Sequence, residues 1–190
     1  MTSKYTVVYD ACVMYPAPLR SLLMYLALSD QFRARWTDMI HDEWTRNLLV
    51  ARPDLSAGKL QRVRDLINAH VRGCLVTGFE ALIPDIDLPD KDDRHVVAAA
   101  IHTGAHAIIT FNLKDFPKQI LATYQLKAIH PDDFIRELME SNISVVIEAV
   151  RQHRASLKNP PFSKSEYLDC LLKQQLPQTV SWLREFSTMI

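Results

Sequence analysis

Short apolar runs separated by helix-length segments constrain this chain more than any other feature. "KYTVVYD", "FRARWT", "HAIITF" and "LKAI" read as strands, and "CLVTGF" as a further strand or extended segment. Between them, "APLRSLLMYLALS" sets Leu19, Leu22, Leu23 and Leu26 at helical spacing. A second helix follows Thr37 or Asp38 as cap, with Ile40, Trp44 and Leu48 as its apolar stripe. "SAGKLQRVRDLINAH" predicts a third helix from near Ser56. The alanine-rich "RHVVAAAIHTGA" predicts a fourth, ended by Gly104. Pro131 opens a short helix in "PDDFIRELM". Strands alternating with helices imply a parallel sheet with helices on both faces.

That topology gives the acids a direction. Ligands of an open parallel sheet bind beyond the carboxyl ends of its strands. Asp10 ends the first strand, and Asn112 and Asp115 follow directly on "HAIITF". Crossover helices begin at the same edge. Asp93 opens one of them, three and four residues ahead of Val96 and Val97. Glu43 lies about two turns into the helix after "FRARWT", between Ile40 and Trp44 and beside the buried face. Each acid also has a plain explanation. Asp10 and Asp93 suit helix N-caps, Glu43 a solvated flank, and Asp115 the turn before Pro117. Independent caps would fall at both edges of a sheet, whereas these acids share one.

Acids gathered in that way repel one another unless a cation intervenes. Oxygen ligands without thiolates or a histidine pair suit Mg²⁺ or Mn²⁺ better than zinc. Such ions polarise a phosphoryl oxygen and activate water, so the implied chemistry is phosphodiester hydrolysis. Asp85, Asp87, Asp90, Asp92 and Asp93 form an acidic loop that lacks the glycine and glutamate positions of an EF-hand. His95 reads as a partly buried polar residue near the site. Arg94 and Lys114 flank it, either as phosphate contacts or as ordinary exposed cations.

Composition narrows the class. The 190 residues carry 22 basic and 22 acidic side chains, which argues against binding nucleic acid through a broad basic face. Three scattered cysteines, Cys12, Cys74 and Cys170, suggest neither a disulfide framework nor zinc, and fit a reducing cytoplasm. No basic segment followed by an apolar stretch opens the chain, which argues against export. No run approaches the roughly 18 apolar residues of a membrane span, so no membrane partner is expected. Beyond about Ser141 the strand signal stops. "SVVIEAVRQH", "SKSEYLDCLLKQ" and "PQTVSWLREF" read as helices, with "KNPPF" as a break. Leu168, Leu171, Leu172, Val180 and Leu183 suit ordinary packing there.

"VVYDACV", "HDEWTRNL", "PDKDDRHVVAAAI" and "ITFNLKDFP" together resemble the PIN-domain ribonucleases, specifically the VapC-type toxins of bacterial toxin–antitoxin pairs. The resemblance spans about residues 5–138. It implies a PIN-like α/β/α sandwich with a central parallel sheet over 1–140, and leaves 141–190 as a helical C-terminal extension. It also implies Mg²⁺-dependent endoribonuclease activity, with Mn²⁺ as a substitute, on an RNA substrate in the cytoplasm. A cognate antitoxin is the implied partner, and a homodimer stays open. By position, Asp10 and Asp93 look like metal-binding aspartates and Glu43 like the helix-borne acid. Asn112 stands where the family often has Asp, so Asp115 is the alternative source of the fourth acid and Asn112 a substrate-positioning residue. Two rival classes remain. A haloacid-dehalogenase-like phosphatase would also place an Asp after the first strand, but "YDACV" lacks its second Asp two residues on. A catalytically inactive PIN binding module would have lost the acids that this chain keeps.

Overall fold

Every residue of strand β1 (Thr6–Tyr9) is buried, although alternate side chains of a strand point to opposite faces. Both faces of the sheet are therefore covered, as an α/β/α sandwich requires. The computed structural model describes residues 5–190. Lys4, read above as part of the first strand, lies outside them. β1 pairs with β2 (Arg33–Arg35) on one side and β3 (Ala107–Ile109) on the other, and β4 (Lys127–Ile129) pairs with β3. The order is β2-β1-β3-β4 and all pairings are parallel, with Val8 opposite both Arg35 and Ile108. Apolar central strands and charged edge strands (Arg33, Arg35, Lys127) follow the burial each position experiences. The edge charges also discourage pairing with another chain.

Helices α1 (Ala11–Met14) and α2 (Ala17–Leu28) lead from β1 to β2. α3 (Asp38–Ala51) starts from Thr37, whose hydroxyl oxygen accepts from Ile40 N at 3.1 Å, and α4 (Ala57–His70) starts from Ser56. α5 (Arg94–His102) packs against β1 and β3. It ends at Gly104, whose φ of +59° favours glycine. α6 (Lys118–Thr123) joins β3 to β4.

The segment "CLVTGF" departs from the strand reading. Leu75 makes a single parallel bridge to Trp36, and the chain then enters a 3₁₀ turn at Glu80–Asp85. Gly78, at φ +82°, turns the backbone out of extended geometry before a ladder can grow. The short helix expected after Pro131 and the helix expected over "SVVIEAVRQH" follow one another as α7 (Pro131–Ser156), two helical stretches separated by a kink at Asn142, with φ −159° and ψ 85°.

α8 (Lys164–Lys173) and α9 (Pro177–Glu185) complete the C-terminal part. Asp132, itself buried, caps α9 from the first turn of α7. One carboxylate oxygen accepts from Thr179 N at 2.9 Å and from the Thr179 hydroxyl at 2.7 Å, and the other from Gln178 N at 2.8 Å. Buried His153 and Tyr167 join α7 to α8 through a 2.9 Å hydrogen bond. Leu168, Leu171, Val180 and Leu183 are buried in one continuous core with the sheet domain, whereas Leu172 is exposed.

Candidate active site

Asp10 is both a cap and part of a site, because its two oxygens are used differently. Oδ1 accepts from Ala11 N at 2.6 Å, which starts α1. Oδ2 accepts from the Thr110 hydroxyl at 2.7 Å and from the Cys12 thiol at 3.1 Å. The Cys12 sulfur in turn accepts from Phe111 N at 3.2 Å, and the Thr110 oxygen from Asn112 N at 2.9 Å. One cluster thus ties the end of β1 to the loop after β3 that carries Asn112 and Asp115. Asp10 is only 2% exposed. Burial raises its pKa, the Thr110 and Cys12 hydrogen bonds oppose that rise, and Glu43 adds to it.

Glu43 owes its place to a buried polar network beneath α3. Trp44 Nε1 donates to His41 Nδ1 at 3.0 Å, which leaves His41 Nε2 as the donor to Asn68 Oδ1 at 3.0 Å. Asn68 Oδ1 also accepts from Trp36 Nε1 at 2.7 Å. These bonds fix the rotation of α3 against α4 and the sheet edge, and the guanidinium of Arg20 lies 4.5 Å from the Trp44 ring centre. Glu43 then projects beside His95, whose Nε2 is 3.4 Å from its carboxylate. His95 is more deeply buried than its sequence position suggested, at 6% exposure, and its Nδ1 has no hydrogen-bond partner among the described residues.

Asp93 stands at the N-cap of α5 but makes no side-chain capping bond, which removes its plain explanation. Its pKa is pushed up to about 7, first by burial and then by Asp10, Asp90, Glu43 and Asp115. An aspartate feels four other carboxylates only if they stand close by. Acids from separate segments thus come to one sheet edge, Glu43, Asp93 and Asp115 on a shared cleft and Asp10 buried behind them.

The cleft, of about 530 Å³, is lined by Glu43, Asp93, Asn112 and Asp115 together with Asp42, Asp90 and Asp92. Asp10 is buried and does not line it. Neither Asp85 nor Asp87 does, nor do Arg94 and Lys114. The sequence reading did not single out Cys12 and Thr110, which hold Asp10, or Met39, Asp42, Arg46 and Asn47, which line the cleft. Arg46 carried a readable signal, since Met39, Glu43 and Arg46 are spaced to share one helix face.

The donors fit a hard divalent cation in type, being carboxylate and amide oxygens whose mutual repulsion shows in Asp93. Among the described residues, no three His, Cys, Asp or Glu side chains are drawn together tightly enough to hold a metal ion as they stand. A bound cation would reverse the sign of the field that now raises Asp93.

The PIN domain family model matches residues 6–114, and the VapC50 C-terminal domain model matches residues 131–185. A Mycobacterium tuberculosis protein named "Putative ribonuclease VapC50" is 41% identical over a match covering 53% of this chain. That match spans 59% of the relative's own length. No solved structure matches.

Proposed function

The chain belongs to the PIN-domain family, and from that premise we propose that it is a Mg²⁺- or Mn²⁺-dependent endoribonuclease, the toxin of a toxin–antitoxin pair. The observation that supports this reading is that Glu43, Asp93 and Asp115 line one cleft, with buried Asp10 at the end of β1 behind them. The relative's name, ribonuclease, supports RNA as substrate.

In this reading Asp10 and Asp93 hold the ion. When bound, the ion polarises a phosphoryl oxygen and activates water for in-line attack. Thr110 and Cys12 hold the Asp10 carboxylate in one orientation behind the cleft, so its position is set before substrate arrives. Glu43, partly exposed beside His95, accepts a proton from the attacking water. Asn112 has an uncharged amide that donates to a phosphoryl oxygen without adding repulsion, and Asp115 supplies the fourth acidic charge. An aspartyl nucleophile of the phosphatase kind is disfavoured, because "YDACV" lacks the second Asp two residues on. Among the described residues no helix is long and apolar enough to cross a membrane, and the cytoplasm is the proposed place of action. There an inhibitory antitoxin is required to protect the host's own RNA.

The reading is tested by substitution. The purified chain should cut RNA internally and leave a generic phosphomonoester intact. Asp10→Asn and Asp93→Asn should each abolish cleavage without unfolding the chain, and Asp85→Asn and Asp87→Asn should leave it nearly intact. The wild-type chain should arrest growth of its host when expressed alone, and Asp10→Asn should not. Undiminished cleavage by Asp93→Asn would overturn the assignment.

A further inference from the structure

Six carboxylates line or border the cleft: Asp42, Glu43, Asp90, Asp92, Asp93 and Asp115. A polyanionic strand entering it needs a counter-charge besides any ion held at the centre. Among the described residues lining the cleft, Arg46 is the one guanidinium or ammonium group. Its natural partner is taken elsewhere. Asp42 and Arg46 have the i,i+4 spacing and order that favour an ion pair on a helix. Arg64 of α4 occupies Asp42 instead, with Nη1 at 2.6 Å, and reaches Asp38 with Nη2 at 3.1 Å. Arg46 is left exposed, with no ion pair among the described residues.

Arg46 also lines a second, shallower groove over the outer surface of α3, together with Asp42, Thr45, Leu49 and Val50. Val50 is 79% exposed there, an apolar side chain with nothing covering it. One cation therefore stands at the junction between the acidic cleft and an apolar-floored exit.

We propose that Arg46 anchors a backbone phosphate of single-stranded RNA next to the scissile bond, and that the strand leaves over α3 with a base resting on Leu49 and Val50. The inference rests on the ribonuclease reading above. A guanidinium grips a phosphate through two parallel N–H bonds, and an exposed apolar surface receives an unpaired base. A base-paired strand would not splay a base into this groove. A protein carboxylate is a poorer occupant, because Arg46 stands among six acids and no ion would accompany it.

The test compares the wild type, Arg46→Gln and Arg46→Lys on a short single-stranded RNA oligonucleotide at several salt concentrations with Mg²⁺ present. For Arg46→Gln, KM should rise roughly tenfold with kcat nearly unchanged. The slope of log(kcat/KM) against log[salt] should flatten by about 0.7, the loss of one single-strand phosphate contact. Arg46→Lys should keep the wild-type slope. Melting curves check that this exposed helix position leaves the fold alone. Wild-type cleavage with KM and salt slope unaltered in Arg46→Gln would overturn the anchor while leaving the ribonuclease reading standing, including where Arg46 proves necessary only for capturing a protein partner. Absence of RNA cleavage by the wild type would overturn both.

Discussion

The Thr110 hydroxyl donates to Asp10 Oδ2 at 2.7 Å, joining the ends of β3 and β1 across 100 residues of sequence. The Thr110 hydroxyl oxygen also accepts from Asn112 N, so one threonine ties buried Asp10 to the loop beside it.

Removing that hydroxyl should misdirect Asp10 while leaving the packed sheet in place. Thr110→Val should lower cleavage roughly 10- to 100-fold, the usual cost of losing a group that orients a ligand carboxylate. Thr110→Ser should retain most activity. The check is kcat/KM on RNA beside a urea unfolding curve. Activity in Thr110→Val equal to wild type would mean that Asp10 needs no such support.

Stability should depend on pH through His153. Burial lowers its pKa to about 4, against about 6.5 in an unfolded chain. Above about pH 6.5 the imidazole is neutral in both states and its contribution to stability is fully present. As pH falls toward 4, the unfolded chain binds the proton and the folded one resists it, so stability declines by up to about 3 kcal/mol across that window. His153→Gln should lose this part of the slope. Urea midpoints at pH 7 and pH 5 for both chains measure it, and equal slopes would contradict the prediction.

The sheet was legible because its central strands are buried on both faces and so read as unbroken apolar runs. The shared edge of the acids followed from strand direction alone. "CLVTGF" misled because its apolar content resembles a strand, whereas Gly78 decides its backbone. Asn142 leaves helical geometry between "PDDFIRELM" and "SVVIEAVRQH", so the two parts of α7 read as separate helices. Thr110 and Cys12 left no local trace, since their bonds to Asp10 exist only once β1 and β3 lie side by side. Lys114 and Arg94 drew attention by adjacency in sequence, yet it is exposed Arg46, on the face of α3 that carries Met39 and Glu43, that lines the cleft.

Dependence on a divalent ion tests the central claim most directly. Burial and four neighbouring carboxylates push Asp93 to about 7, so the site is electrostatically incomplete by itself. Cleavage of a single-stranded RNA oligonucleotide by the purified chain should vanish in excess EDTA and return when Mg²⁺ or Mn²⁺ is added beyond the chelator. Cleavage that proceeds undiminished in EDTA would contradict the account.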